Sequence, residues 1–366
     1  MSILNSIDKH LTSIKTFNAY TYWQALKQSF LFPYDYYWRD GKSLAPMNIA
    51  LFLTLRCNAN CFMCNLQELI NNDPRELPLE KIDELLKEIA PSKPSIVLFG
   101  GEPIIRTDFV DILKLVKSYK LSCGIFTNGT LFNEQKIKEI IDAKMNYVAF
   151  SLQGIGEAHD KIVGINGAYE KMIKNIQEFV KYKNSQTKII IHTTISESNL
   201  DELAKVVRLG EELKVDLIRF GHPTFFTDFD IQRNKNAMRS LFPEEKIDEI
   251  SYSYDPKEKS AVYYDRLSGF MKKYAGRFKT TPDLNLEEIK NWYSSNFKSK
   301  RKCYFVWRGC FIYPNGDVVP CESIKIIMGN INEESFEKIW NSPKYIKFRK
   351  TLKKGLLPAC ARCCKL

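Results

Sequence analysis

The sequence predicts an α/β protein: a six-stranded partial (β/α)6 barrel followed by a small C-terminal unit built from a β-hairpin and a helix. Three observations predict it. Between residues 47 and 222, six short apolar runs alternate with amphipathic segments. The most unusual short motifs fall directly after those runs, where parallel α/β folds place their chemistry. Near the C-terminus, a Pro-Asn-Gly-Asp turn separates two apolar runs, the pattern of a hairpin.

The elements follow in order. Residues 47–55 (MNIALFLTL) are apolar without helical spacing and read as a buried strand. Residues 79–89 (LEKIDELLKEI) place apolar side chains at i, i+3, i+4 and i+7, the stripe of a helix. The pairs then repeat: strand 95–99 and helix 108–116, strand 122–126 and helix 134–143, strand 147–152 and helix 168–182, strand 188–195 and helix 200–213, and a sixth strand at 216–220. Near-continuous apolar strands separated by helices indicate parallel βα units covered on both faces. The spacing is too irregular for a solenoid, and no sequence repeat is present. The chain therefore divides into an aromatic-rich arm (1–46), the barrel (47–222), a connecting segment with two or three helices (223–301), and the C-terminal unit (302–366).

Composition narrows the function. The 366 residues include 54 Lys and Arg against 43 Asp and Glu, a formal charge of +11, and ten cysteines. No run approaches the roughly 18 apolar residues of a membrane-spanning helix. The first residues lack a secretory signal pattern, so a cytoplasmic location is expected. Thiols stay reduced there, and clustered cysteines read as ligands or catalysts rather than disulfides. The basic residues are spread over helices without a nucleic-acid motif, so no nucleic-acid partner is expected. The tail from Lys344 to Leu366 has eight basic residues and no acidic one. It suits an acidic electron donor such as a flavodoxin or ferredoxin. Ten aromatics in residues 16–38 fit either a structural arm across the barrel mouth or a segment lying on a membrane surface or a lipid-like substrate.

Cys57, Cys61 and Cys64 follow the first strand with the spacing C-x3-C-x2-C. Three thiolates on one loop hold three corners of a cubic iron–sulfur cluster and leave the fourth iron open, whereas a structural site closes all its positions. A zinc site completed by a distant ligand is the alternative. In this placement the triplet resembles the cysteine motif of the radical S-adenosylmethionine (SAM) enzymes. Three further motifs carry the resemblance. Gly100-Gly101-Glu102-Pro103 follows the second strand, and Thr127-Asn128-Gly129-Thr130 follows the third. Ser151-Leu152-Gln153-Gly154, then His159-Asp160, follows the fourth. Three positions depart from the family pattern: Met63 (beside Phe62) where an aromatic is common, Gln153 where an aspartate is common, and Val163 where an arginine is common. The resemblance covers about residues 47–222.

The resemblance implies a partial TIM-like barrel that holds a 4Fe–4S cluster on Cys57, Cys61 and Cys64. It implies SAM contacts at Phe62, Met63, Gly100, Gly101, Glu102, Pro103, Thr127, Asn128, Ser151 and Gln153. It also implies reductive cleavage of SAM to a 5′-deoxyadenosyl radical that abstracts a hydrogen atom from substrate. Such chemistry belongs to the cofactor and needs no side-chain base in its first step, consistent with the absence of a Ser-His-Asp or paired-carboxylate signature.

The second cysteine group lies in the last 64 residues. The hairpin brings Cys303 and Cys321 to one end, and Cys360 and Cys363 follow in the tail. The resemblance extends to SPASM and twitch extensions, whose hairpins carry C-x9–15-G-x4-C. Twelve residues separate Cys303 from Gly316 and four separate Gly316 from Cys321, whereas Cys310 is only five residues from Gly316. This implies one auxiliary 4Fe–4S cluster on Cys303, Cys321, Cys360 and Cys363, the twitch form, with a zinc ribbon as the alternative. Cys123, Cys310 and Cys364 are left without a ligand role, with Cys364 expected to point away. Among the histidines, His10 reads as solvated, His159 as a ribose neighbour or a helix cap, and His192 as facing the barrel or a helix. His222 reads as a candidate substrate contact.

The expected activity is hydrogen abstraction from a small-molecule, sugar or lipid-like substrate, with the auxiliary cluster assisting electron transfer. The alternative is a peptide maturase; about 46 residues before the first strand are too few for the winged-helix domain that peptide-modifying relatives often carry. A zinc-binding structural or nucleic-acid module is the third reading.

Overall fold

The structure, a computed structural model, describes residues 31–64, 66–245, 260–294, 299, 301–324 and 326–365. Six parallel strands form its centre: β1 (Asn48–Thr54), β2 (Ser95–Gly100), β3 (Ser122–Thr127), β4 (Tyr147–Ser151), β5 (Lys188–Thr194) and β6 (Leu217–Gly221). They lie side by side in sequence order, within one or two residues of the expected bounds. The covering helices bury their apolar stripes; Leu79–Ile89 buries Ile82, Leu85, Leu86 and Ile89.

Two strands extend this sheet. β7 (Lys279–Thr281) pairs in parallel with β6, so the connecting segment is not purely helical. Its described helices are Asp228–Leu241, Ser260–Lys273 and Leu286–Trp292. β8 (Gly309–Ile312) pairs in parallel with β1 and turns back as β9 (Asp317–Val319), beside which lies β10 (Gly329–Asn330). The hairpin expected as a separate unit is thus continuous with the barrel sheet, which runs β10-β9-β8-β1-β2-β3-β4-β5-β6-β7. Gly316 supplies the turn at φ +93°, and a side chain there would strike Asn330 and Asn332.

The pleat sorts the strand residues. Ile191 and Ile218 reach outward to Gly210 of the helix Leu203–Glu212, where a Cβ would meet both. His192 and Arg219, their neighbours and cross-strand partners, therefore face the barrel interior. On the same inner face Phe52 meets Phe99 at 5.0 Å, Phe99 meets Phe126 at 5.7 Å, and Phe126 meets His192 at 5.5 Å.

The aromatic arm departs from expectation. Its residues 16–30 lie outside the described residues. Residues 31–38 are helical, and the buried Tyr36 packs on Tyr304 and Trp307 at 5.1 and 4.9 Å. The Met47 amide donates to Arg308 O at 2.7 Å, and Ser43 Oγ donates to Trp307 O. Trp307 and Arg308 lead into β8, which runs parallel to β1. This part of the arm therefore braces the N-terminal ends of the strands rather than crossing the mouth. Tyr34, Tyr37 and Trp38 remain exposed on it.

The basic tail is also less free than its composition implies. Arg349 and Arg362 are fully buried. Arg349 donates to Val306 O at 2.9 Å and lies 4.2 and 4.1 Å over the Trp340 and Tyr345 rings. Two of the eight charges thus serve the core.

Candidate functional site

The loop after β1 carries Cys57, Cys61 and Cys64, and three neighbouring turns hold it. Gly101 N donates to Thr54 O and Glu102 N to Arg56 O, both at 2.9 Å. This approach demands glycine: a Cβ on Gly100 (φ +137°) would overlap the Thr54 carbonyl oxygen, and one on Gly101 would overlap that of Arg56. The turn after β3 grips the other side, with Asn58 Nδ2 donating to Thr130 Oγ1 at 3.0 Å and Asn128 Nδ2 donating to Asn58 Oδ1 at 2.8 Å. Asn60 N donates to Val163 O at 3.0 Å, next to Gly164, whose φ of +70° ends the helix Glu157–Val163. Asn71 closes the loop from outside, accepting from Cys57 N at 2.9 Å and donating to Cys57 O at 3.2 Å.

The residue types suit a cationic iron core. All three thiols are partly buried and free. Burial pushes Cys57 up to about 11, and burial with the neighbouring thiols pushes Cys61 to about 12. Without a bound cation their thiolates would be costly. Among the described residues no three Cys, His, Asp or Glu converge tightly enough for a single metal ion.

The other expected cofactor positions divide. Phe62 is exposed beside the partly buried Met63. Glu102 is spent internally: Oε1 accepts from Ile104 N (3.2 Å) and Thr127 Oγ1 (2.8 Å), and Oε2 accepts from Asn128 N (2.7 Å). Burial nevertheless raises its carboxyl to about 7. Pro103 is buried at the start of the single turn Pro103–Ile105. Ser151 ends β4 on the inner face, opposite His192. Gln153 is buried; its Oε1 accepts from Thr194 N and its own N donates to His159 Nδ1, both at 3.0 Å. His159, fully buried, is held down to about 4 by burial. His222 is buried against Tyr293, its Nδ1 3.0 Å from the phenol oxygen.

The second cysteine group also assembles. Cys303, Cys321 and Cys360 influence one another electrostatically, and Cys363 joins through Cys321. Burial pushes Cys360 up to about 12. Cys310 lies apart, buried near Tyr345 and Arg349, and Cys123 is buried in β3. Cys364 does not point away: its free thiol lies within hydrogen-bonding reach of Cys363 and Thr224, and the Cys363 interaction with nearby Lys365 lowers it to about 5. Arg362, between Cys360 and Cys363, anchors the tail by donating to Trp292 O (2.9 Å), Asp230 Oδ2 (2.8 Å) and Ser294 O (2.6 Å).

A small apolar cluster of Phe52, Leu55, Leu66, Phe311, Tyr313 and Val319 contacts both Cys64 and Cys321. The two cysteine groups thus share a wall. Glu322, next to Cys321, lies within electrostatic reach of Cys64 and Lys365, and burial raises it to about 7. Asn58, Asn71, Arg219, Glu322 and Lys365 were not among the expected site residues. The strand-two turn with paired glycines was the signal that something packs tightly there; nothing local marks the others.

Comparison with known proteins agrees with this arrangement. The radical SAM superfamily matches residues 51–210, and the SPASM iron–sulfur cluster-binding domain matches residues 303–364. The AdoMet-dependent heme synthase of Methanosarcina barkeri is 27% identical over 313 residues, 83% of this chain and 84% of its own. The PqqA peptide cyclase of Gluconobacter oxydans is 23% identical over 316 residues, 84% of this chain and 80% of its own. Streptococcus suis SuiB, solved with its precursor peptide SuiA, shares the fold with a TM-score of 0.62 at 16% identity, covering 89% of this chain and 72% of that one. Two motif-bearing regions, in the order and on the elements described, match: the chain carries a radical SAM domain over residues 51–210 and a SPASM-type iron–sulfur domain over residues 303–364.

Proposed function

We propose that this chain is a radical SAM maturase acting on a peptide. The observation that carries the radical step is the fastening of the Cys57–Cys64 loop to the turns after β2 and β3, at the barrel mouth. In this reading Cys57, Cys61 and Cys64 hold the SAM-binding cluster, and Cys303, Cys321, Cys360 and Cys363 hold an auxiliary one. When bound, the cluster and SAM supply one-electron cleavage and a 5′-deoxyadenosyl radical that removes a hydrogen atom from substrate.

The chain's own residues bind, orient and exclude water. Asn58, Asn71, Asn128 and Thr130 fix the loop. Phe62, Met63, Ser151 and Gln153 line the cofactor's approach. Phe52, Phe99 and Phe126 form an apolar inner wall that keeps water from a reactive carbon radical. The PqqA peptide cyclase and the peptide-bound SuiB support a peptide over the sugar or lipid expected from sequence. The heme synthase relative supports a second reading, a small molecule of the heme type. A cytoplasmic flavodoxin or ferredoxin is the proposed electron source.

The test is anaerobic reconstitution with iron and sulfide, followed by SAM and reductant. Formation of 5′-deoxyadenosine that is lost in Cys61→Ala supports the reading; no SAM cleavage by the iron-loaded wild type overturns it. Deuterium transfer from labelled peptides or labelled small molecules into 5′-deoxyadenosine separates the two substrates.

A further inference from the structure

Arg219 sits mid-strand in β6, on the inner face and in register with His192 of β5. It is half-buried, and among the described residues no carboxylate pairs with it. Its electrostatic neighbours are the Tyr147 phenol, His192 and Lys365. Lys365 reaches in from the tail, 5.5 Å over the Phe305 ring and 5.9 Å over Phe311. The nearby Glu322 carboxylate acts on Lys365. His192 Nδ1 is buried without a hydrogen-bond partner. The aromatic series Phe52, Phe99 and Phe126 continues this inner face, with Phe126 5.5 Å from His192.

A guanidinium partly withdrawn from water without a counter-ion carries a desolvation cost that a ligand carboxylate would offset. Its planar fork of donors fits a carboxylate in two parallel hydrogen bonds, which an ammonium does not reproduce. We propose that the barrel interior receives a carboxylate of the substrate on Arg219, with His192 and Lys365 beside it and the adjoining apolar part against Phe99 and Phe126. This rests on the proposed radical SAM function, because it assumes that the barrel interior is the substrate site. The carboxylate comes either from a small molecule or from an acidic side chain of a peptide.

The test titrates the reconstituted, SAM-loaded protein calorimetrically with two pairs of probes. One pair is 3-phenylpropanoate and its amide; the other is acetyl-Phe-Glu-amide and acetyl-Phe-Gln-amide. We expect the acid of at least one pair to bind at least tenfold tighter than its amide. Arg219→Met is expected to abolish that preference and Arg219→Lys to keep part of it. A preference in the first pair alone identifies a small-molecule carboxylate; one in the second identifies an acidic peptide side chain. Equal binding of acid and amide by the wild type in both pairs overturns the inference, whether or not the variants fold. So does an Arg219→Met protein that keeps the preference and instead loses SAM affinity. Absence of SAM cleavage in the wild type would overturn the proposed function while leaving the binding comparison intact.

Discussion

The Asn128 side-chain amide donates to Asn58 Oδ1 at 2.8 Å, tying the turn after β3 to the residue that follows Cys57. Asn58 in turn donates to Thr130 Oγ1 at 3.0 Å, so Asn58 is clasped by two bonds to the one turn, from residues 70 and 72 positions away in sequence. The clasp acts on a loop, the class of segment that drifts most readily without such ties.

Asn58→Ala removes both bonds of the clasp and leaves the cysteines in place. Each exposed bond of this kind contributes about 1 kcal/mol, so the loop is expected to loosen without unfolding the barrel. The expected outcome is several-fold faster loss of iron from the first site to a chelator, with global stability within about 2 kcal/mol of wild type. Chelator-trapping kinetics against urea unfolding checks this; equal iron release in both proteins would show that the clasp has no holding role.

Gly101→Ala probes the opposite side of the loop. The added methyl would overlap the Arg56 carbonyl oxygen and crowd Cys57 Cβ. Backbone on both sides cannot yield cheaply, and overpacking of this kind costs about 1–3 kcal/mol. The loop is expected to shift, so that iron bound at the first site falls while the second site stays loaded. Iron and sulfide analysis, with electron paramagnetic resonance to tell the two sites apart, would register the change.

How much of this was legible in the sequence follows from the range of the interactions. β1 to β6 were readable because each is a local apolar run between turn signals. β7 was not, because Lys279-Thr280-Thr281 has no apolar pattern and becomes a strand only by lying against β6. The pairing of β8 with β1 joins residues some 260 apart, which no local signal encodes. The two cysteine groups were readable as groups because their spacing is local. The inward direction of Arg219 was not, since it depends on the register that sets Ile218 against Gly210. Glu102 was readable as important, but its three internal donors depend on how the β2 and β3 turns meet.

His159 gives a prediction in pH. Burial holds its imidazole at about 4, below the ordinary 6.5, while Nδ1 accepts from Gln153 N. The unfolded chain therefore binds a proton that the folded chain does not, between pH 6.5 and 4. Stability is complete above about pH 6.5 and falls as the pH drops toward 4. This one group accounts for a loss on the order of 2 kcal/mol at pH 5. His159→Asn keeps an acceptor near the Gln153 amide without the titration. Urea unfolding of wild type and variant at pH 7 and pH 5 should show a smaller loss in the variant; equal losses would mean that His159 does not titrate in this way.

Cys310 and Cys360 discriminate the second ligand set. Cys310 is fully buried near Tyr345 and Arg349, and Cys360 lies within electrostatic reach of Cys303 and Cys321. Cys360→Ala is expected to lose the second site's iron and the coupled product while retaining SAM cleavage. Cys310→Ala is expected to keep all iron and lose about 1 kcal/mol from the small cavity it opens. Iron loss in Cys310→Ala with retention in Cys360→Ala would reverse the assignment.

Arg362 extends the same argument from ligands to their support. It is fully buried between Cys360 and Cys363 and satisfies Trp292 O, Ser294 O and Asp230 at once. Its guanidinium also lies 4.5 Å over the Phe225 ring, beyond the end of β6. One side chain thus binds the cysteine tail to two helices of the connecting segment. Arg362→Met keeps much of the volume but leaves two carbonyl oxygens and the Asp230 carboxylate without this donor. Breaking a buried charge pair costs about 3–5 kcal/mol, enough to detach the tail before the barrel unfolds. The expected result is loss of the second site's iron with the first site and SAM cleavage retained, and protease cleavage confined to the region after Lys354. Arg362→Lys restores the charge but not the three-way fork, and is expected to recover the iron only in part.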